Sequence, residues 1–443
     1  MTDLAASSAE IDIEATQTAT ADARRRRRML VLLMAMIALC HFNRISISVA
    51  GAEHLMEEYG IGEARMGMVY SSYLLVYTLC MLPGGWLIDR FGPWRAFLTL
   101  GIGSSILVPM TGLASFATTS SVVLVLCLIR GLLGVVSAPL HPAAARAVSF
   151  WYPPSGRGAA NGLVTGAALL GIAVTYTVFG FLMDLVGWPS AFVAAGVATL
   201  LLTLAWWAWA GDRSLIDDEE PTPIPAGGSE GRAAFVALLR NRSLVFLTIS
   251  YATVSYFQYL FFYWMQYYFD VILKLGKADG RLFTMIPTLA MAFGMMAGGW
   301  LADRVQARFP GRIGRIAAPA FAMLASAILL AMGVLGDRPV WVVACFTLAM
   351  GALGASESPF WVTSVELGGR RGGLSAAILN TGGNLGGMLA PVVTPLFSGY
   401  FGWKAGLGLA SALCVVGAGL WLWIDPEEET IVKSVALAMP DLP

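Results

Sequence analysis

The sequence predicts an all-α membrane protein whose twelve transmembrane helices form two pseudo-symmetric six-helix bundles around a central cavity. Three observations carry this prediction. The chain of 443 residues is 57% hydrophobic and only 13% charged, where a soluble domain carries roughly 25% charge. Apolar runs long enough to cross the roughly 30 Å of bilayer hydrocarbon recur in two sets of six. Short motifs in the first set return in the second at one spacing, so the two sets are related.

Residues 1–28 open with an Ala-, Thr-, Ser- and acid-rich stretch that buries too little apolar surface to fold alone and is expected to be a disordered tail. The arginines at 24–28 then precede an apolar run ending in Val49, Ala50, Gly51 and Ala52, the outline of a secretory signal. Asn43 and Arg44 interrupt that run, however, and 29–52 is long enough to span, so it is read as the first helix. Further spans fall near 66–88, 96–117, 121–150, 158–183 and 189–210, completing an amino-terminal bundle over 29–210. The segment 211–241 carries acids at 217–220 and Pro221, Pro223 and Pro225, which mark a solvated cytoplasmic linker. Spans near 243–268, 282–302, 314–335, 339–362, 372–398 and 403–424 make a second bundle over 242–425, and 426–443 is a cytoplasmic tail.

Lys and Arg concentrate in cytoplasmic loops. With the amino terminus inside, the inner segments hold nineteen of them and the outer loops six, Arg65, Lys274, Lys277, Arg281, Arg338 and Lys404. This asymmetry places both termini in the cytoplasm, and the chain is expected in the cell inner membrane. The formal net charge is zero, so no basic excess points to nucleic acid. All five cysteines lie in apolar runs without CxxC spacing or a histidine cluster, so neither a metal nor a cofactor is expected. Nothing resembles GxxxxGK[ST], which points away from ATP-driven transport.

The second and eighth spans end alike, in Gly84-Gly85-Trp86-Leu87-Ile88-Asp89-Arg90 and Gly298-Gly299-Trp300-Leu301-Ala302-Asp303-Arg304. The same spacing relates Arg157-Gly158 to Arg371-Gly372, and Gly187-Trp188 recurs one residue later as Gly402-Trp403. In transporters built from repeats the substrate site lies near the midplane where the repeats meet. The segment from Gly85 through Asp89, Arg90, Gly92 and Arg95 resembles the signature loop of the major facilitator superfamily, and the twelve spans resemble its layout over nearly the whole chain. That resemblance implies a conformational latch made by Asp89 and Arg90 with Asp303 and Arg304. The second copy departs from the pattern, since Val305-Gln306-Ala307-Arg308 lacks the glycine. Read by themselves, these charges are equally topology determinants at the inner surface.

Arginine at the centre of a span costs at least roughly 2.5 kcal/mol on insertion scales and is expected to face the bundle interior. Arg44 lies roughly 24 Å along a helix from Arg28, and Arg130 roughly 14 Å into the fourth span, so both sit away from the headgroups. The first and fourth spans offer no Asp or Glu beside either one. Two unneutralised guanidinium groups attract an anion, and their planar forks suit a carboxylate. His41-Phe42-Asn43-Arg44, and Arg130 followed by Ser137, Pro139, Pro142 and Trp151-Tyr152-Pro153-Pro154, are similar to the anion:cation symporter family. In that family the matching arginines bind the substrate carboxylate, and the resemblance adds Tyr77, Ser358, Trp361 and Asn380 or Asn384 as lining residues. Trp361 also reads as packing, and Asn384 as an interhelical hydrogen bond.

Asn43 and Ser137 stand where the sugar-acid members carry coupling acids, and Ala168 stands where they carry a polar residue reaching sugar hydroxyls. Coupling then falls to Glu357 inside the tenth span, or to His41 or His141. Glu357 reads equally as a fixed counter-ion for an arginine, and each histidine as a packed, hydrogen-bonded ring. Tyr256, Tyr259 and Tyr263 share one face of the seventh span and either line the cavity or extend the aromatic belt at its outer end. Glycines at 162, 166 and 171, and at 382, 383, 386 and 387, suit close and sliding helix contacts.

The expected function is a monomeric secondary active transporter that moves a small organic anion by alternating access with proton symport. With Ala168 removing a polar contact, the anion is expected to be a carboxylate with fewer hydroxyls, or a larger apolar body, than a sugar acid. The alternatives are an uncoupled antiporter or facilitator, favoured by Asn43 and Ser137, and a polytopic membrane enzyme. The latter is disfavoured because His41, His54 and His141 form no set with a nucleophile or metal ligands; no catalytic residue is assigned.

Overall fold

Glycine and proline cut the apolar sequence into helices. The computed structural model describes residues 2–210 and 229–425, with backbone alone for 2–23 and for a few other positions, Asp89 and Arg370 among them. The principal helices are α1 (Thr2–Ala50), α2 (Glu63–Leu113), α3 (Val122–Ser137), α4 (Leu140–Trp151), α5 (Pro154–Val186), α6 (Trp188–Trp209) and α7 (Ser229–Arg240). They continue as α8 (Arg242–Tyr267), α9 (Lys277–Arg308), α10 (Arg312–Leu335), α11 (Pro339–Gly368), α12 (Gly372–Phe401) and α13 (Trp403–Leu420). Helical backbone reaches back to Thr2, through a stretch without glycine or proline to interrupt it. Of the expected linker, 211–228 lies outside the described residues and 229–240 forms α7, which buries Leu238. The tail over 426–443 also lies outside them.

Ten helices among the described residues are long and apolar enough to cross a membrane. The other two expected spans are helical as well. Residues 66–88 form the first limb of α2, which reverses at Gly92, where φ is 76°. Residues 372–398 belong to α12, whose Asn380, Asn384 and glycines dilute its apolarity. The fourth expected span is two helices, α3 and α4, broken at Ala138 and Pro139, where proline offers no N–H to continue the ladder.

The sequence repeat is a structural repeat. In the first half α1 packs on α5, and the two limbs of α2 pack on α3 and α6; in the second, α8 packs on α12, α9 on α11 and α10 on α13. Gly187 and Gly402 both adopt positive φ, at 77° and 83°, turning the chain ahead of Trp188 and Trp403. The second copy of the signature loop also has its turn glycine. It is Gly311 at φ 80°, five residues beyond the position that the repeat spacing assigns. The halves meet along two seams, α2 against α12 and α5 against α9. Large apolar side chains such as Phe293, Met296 and Phe321 remain exposed on the periphery, as expected of a surface whose solvent is lipid.

Small residues allow the closest contacts. A β-carbon at Gly386 would collide with the carbonyl oxygen of Ala252 in α8, and one at Gly383 or Gly387 would press on the rings of Tyr251 or Tyr259. The glycines of α12 therefore seat it against the helix that carries the tyrosines. Those at Gly162 and Gly166 in α5 have open space around them, whereas Gly171 lies against the backbone of Ala38 in α1. Gly386→Val is expected to cost about 1–3 kcal/mol through overpacking. Its thermal unfolding midpoint in detergent should fall; an unchanged midpoint would contradict the close contact.

Candidate functional site

Two arginines and a layer of tyrosines meet where the halves face each other. Arg44, near the carboxyl end of α1, and Arg130, in the middle of α3, are 7% and 1% exposed. Arg130 reaches across to α1, donating Nη1–H to the Asn43 carbonyl at 3.1 Å and Nη2–H to the Arg44 carbonyl. It thereby ties down the segment that carries Arg44. Arg44 turns toward the second half, where its Nη2–H donates to the hydroxyl of Tyr259 in α8. The Tyr73 ring lies 5.0 Å from Arg44 Cζ and 5.4 Å from Arg130 Cζ, and the Tyr259 ring lies 4.8 Å from Arg44 Cζ. Such ring faces offer a guanidinium roughly 0.5–2 kcal/mol each without neutralising its charge.

Tyr77 stacks on Tyr73 at 5.9 Å, and Tyr70 stacks on Tyr263 across the seam at 5.0 Å. The three tyrosines expected on one face of the seventh span divide. Tyr259 and Tyr263 point at the opposite half, whereas Tyr256 shares a hydrogen bond of 2.8 Å with Thr394 inside its own half. Among the described residues neither Arg44 nor Arg130 pairs with a carboxylate.

The remaining expected site residues form separate clusters. Glu357 is buried in α11 and accepts a hydrogen bond from the Tyr251 hydroxyl at 3.0 Å, so its described partner is a tyrosine and not an arginine. Trp361, one turn further on, meets the Tyr251 ring edge-on at 6.0 Å, while Ser358 faces Gly299 of α9. Asn384 and Asn380 both direct their amides at the sulfur of Met81 in the opposite half, at 3.2 and 4.0 Å. His41 and His141 form an edge-on pair at 5.2 Å, His41 buried and His141 exposed. Asn43, in the place of an expected acid, donates its amide to Thr199 of α6 at 2.8 Å, and Ala168 is buried in the apolar core of the first half.

Of the expected latch, the Asp89 side chain lies outside the described residues, and Arg90 is exposed. Asp303 and Arg304 are exposed too, with Arg304 Cζ 3.8 Å from the ring centre of Trp300 on its own helix.

At the end of the bundle opposite the termini, the structure shows a cluster the sequence did not single out. Glu53, just after α1, is 3% exposed and accepts from Arg281 Nε at 2.7 Å and Nη2 at 2.6 Å, and from the Gln266 amide at 2.5 Å. Arg281 also holds both carboxylate oxygens of Asp184, at 2.5 and 2.9 Å. Close by, Glu63 accepts from Tyr267 at 2.8 Å and Trp403 at 3.2 Å. Three carboxylates of the first half are thus held by donors of the second, closing that end. Arg281 reads in sequence as one more loop cation; only its burial distinguishes it.

Residues 31–378 match the Major Facilitator Superfamily. A D-galactonate transporter of Escherichia coli is 27% identical over 400 residues, covering 86% of this chain and 91% of its own. A probable sulfoacetate transporter of Cupriavidus necator is 28% identical, covering 88% and 92%. A probable galactarate/D-glucarate transporter of Bacillus subtilis is 27% identical, covering 85% of each chain. Among solved structures, a bacterial homolog of the human lysosomal transporter Spinster superposes with TM-score 0.75 at 18% identity, covering 90% of this chain and 97% of its own. The chain belongs to the Major Facilitator Superfamily and is a multi-pass membrane transporter, not an enzyme. Its named relatives agree with the sequence resemblance to the anion:cation symporters.

Arg281→Ala would leave Glu53 buried beneath the opposite half without its cation. Breaking such a pair costs about 3–5 kcal/mol. Backbone amide exchange over 51–63 and 262–276 should therefore rise in the variant. Unchanged exchange would mean that the network does not hold this end shut.

Proposed function

We propose that this major facilitator transporter carries a small organic anion by alternating access, with Arg44 as the direct ligand of the anion's carboxylate. The observation that supports the reading best is a pair of buried guanidinium groups at the seam of the halves, partnered by carbonyls and ring faces instead of acids. A protein that keeps positive charge in a low-dielectric interior favours an anion there. Arg130 fixes the α1 backbone at Arg44 and adds its charge to the site. Tyr77, Ser358, Trp361, Asn380 and Asn384 line the path. The relatives are named for galactonate, sulfoacetate, galactarate and glucarate, and every one of these anions bears a carboxylate.

The protein lies in the inner membrane with both termini in the cytoplasm, the side the loop arginines favour. The Glu53–Arg281–Asp184 network then closes the outer end, and Asp89, Arg90, Asp303 and Arg304 latch the inner end in the alternate state. Glu357 is the proton-coupling group, because it is a carboxyl buried among neutral partners in the half that lacks the arginines. His41 and His141 are the secondary candidates. The uncoupled antiporter is the second reading, supported by Asn43 and Ser137 at the places of the usual acids.

In proteoliposomes, Arg44→Ala and Arg130→Ala should each lower counterflow of galactonate, glucarate or sulfoacetate by at least about 30-fold, the lower bound for losing one partner of a buried charged contact. Preserved transport in both would remove the binding site.

With an acidic exterior, wild-type protein should accumulate the anion, and Glu357→Gln should lose accumulation while retaining exchange. An accumulation that persists in Glu357→Gln moves coupling elsewhere. A wild type that exchanges but never accumulates is an antiporter.

A further inference from the structure

The central site is rich in donors that lack acceptors. Arg44 Nε–H and Arg130 Nε–H are buried without a hydrogen-bond partner, and the Tyr263 O–H, in a residue 1% exposed, has no acceptor. The Tyr263 oxygen lies close enough to the Arg44 guanidinium to answer it, so what this hydroxyl has to spare is its proton. The Tyr259 hydroxyl accepts from Arg44 and uses its oxygen in doing so, which leaves its own O–H able to donate. Asn43 Oδ1 is an unpartnered acceptor nearby in sequence, but its amide group is engaged with Thr199 of α6. In folded proteins most buried polar groups are paired. A cluster of buried donors around a guanidinium therefore has a definite chemical complement, a group with several lone pairs and negative charge.

We propose that Tyr259 and Tyr263 of α8 complete an oxyanion site with Arg44, in which Tyr259 holds the position on Arg44 that one oxygen of the transported carboxylate or sulfonate takes. When the anion arrives, the Tyr259 hydroxyl gives up its contact with Arg44 Nη2 and donates to the anion. Tyr263 donates to the same anion, which remains bonded to Arg44. The first half then supplies the charge and the second half supplies neutral donors, so the ligand is shared across the seam.

The ring faces of Tyr73 and Tyr259 flank the guanidinium, and no second basic residue of α8 faces it among the contacts described. The contacts described here therefore recognise the oxyanion head of the ligand. The inference rests on the proposed transport of an organic anion and adds two ligands to it.

Tyr→Phe substitutions test it, since each removes one oxygen and keeps the ring stack. Transport is measured in proteoliposomes with galactonate, glucarate and sulfoacetate, alongside the thermal shift that each anion induces in detergent. Tyr263→Phe should raise KM about tenfold or more, the loss of one hydrogen bond to a charged group, and Tyr259→Phe should raise it by a smaller factor, because the same oxygen also serves Arg44 in the unliganded protein. The double variant should lose the anion-induced shift, and its unliganded unfolding midpoint should fall with the lost Tyr259 acceptor of Arg44.

A KM that falls in Tyr259→Phe would show a tyrosine that only competes with the anion, and unchanged KM in the double variant would show no contact; either overturns the inference. Arg44→Ala separates this from failure of the underlying reading. If it abolishes transport while both tyrosine variants behave as wild type, only the tyrosine site is wrong. If Arg44→Ala transports normally, or wild type moves none of the three anions, the anion site fails and the inference with it. Should the double variant not fold, the KM values of the two single variants decide.

Discussion

A charged side chain inside a membrane protein is tolerable only when something nearby compensates its lost hydration. This chain meets that constraint in two ways. Arg281 is fully matched by carboxylates from two helices of the opposite half, and Glu53 is matched in return by Arg281 and Gln266. Arg44 and Arg130 are compensated only in part, by backbone carbonyls, a phenol oxygen and aromatic faces. The matched arginine makes a closure, because nothing further is needed to stabilise it. The partly matched arginines are the seat in the function proposed above, because a negative ligand would improve their environment.

The two arrangements belong to opposite ends of one mechanical problem. Contacts across the seam include the ion-pair network at one end and weak amide-to-sulfur contacts between Asn380, Asn384 and Met81 further along. A thioether is a poor acceptor, so the latter contacts separate easily. Within each half, by contrast, glycine lets helices touch backbone to backbone, as at Gly386 against Ala252 and Gly171 against Ala38. Tight packing inside the halves and exchangeable polar contacts between them suit the alternating access proposed above.

Much of this was legible in the chain. The repeat of Gly84 to Arg90 at Gly298 to Arg304 announced two related bundles, and Arg44 and Arg130 stood out because uncompensated charge is rare in apolar runs. Other features were not legible, for identifiable reasons. Arg281 follows a loop and resembles any other flanking cation, so its burial depends on Glu53 and Asp184, which lie 228 and 97 residues away. The glycine that appeared to be missing from the second signature loop has a counterpart in Gly311, five residues beyond the place a fixed register assigns. Tyr256, Tyr259 and Tyr263 share one helical face, yet only the packing of α12 separates the first, bonded to Thr394, from the other two.

The sequence by itself determined the number of spans, their grouping into halves and the presence of unneutralised positive charge. Those properties follow from local hydropathy, helix length and residue type, and they survive any rearrangement of the helices. Only the tertiary structure decided which groups answer those charges. Arg130 ties down α1, Arg44 crosses to Tyr259, and Glu357 bonds Tyr251 instead of an arginine. Each of these pairings joins helices far apart in the chain, and such choices depend on distances of a few ångströms that periodicity along one helix does not encode.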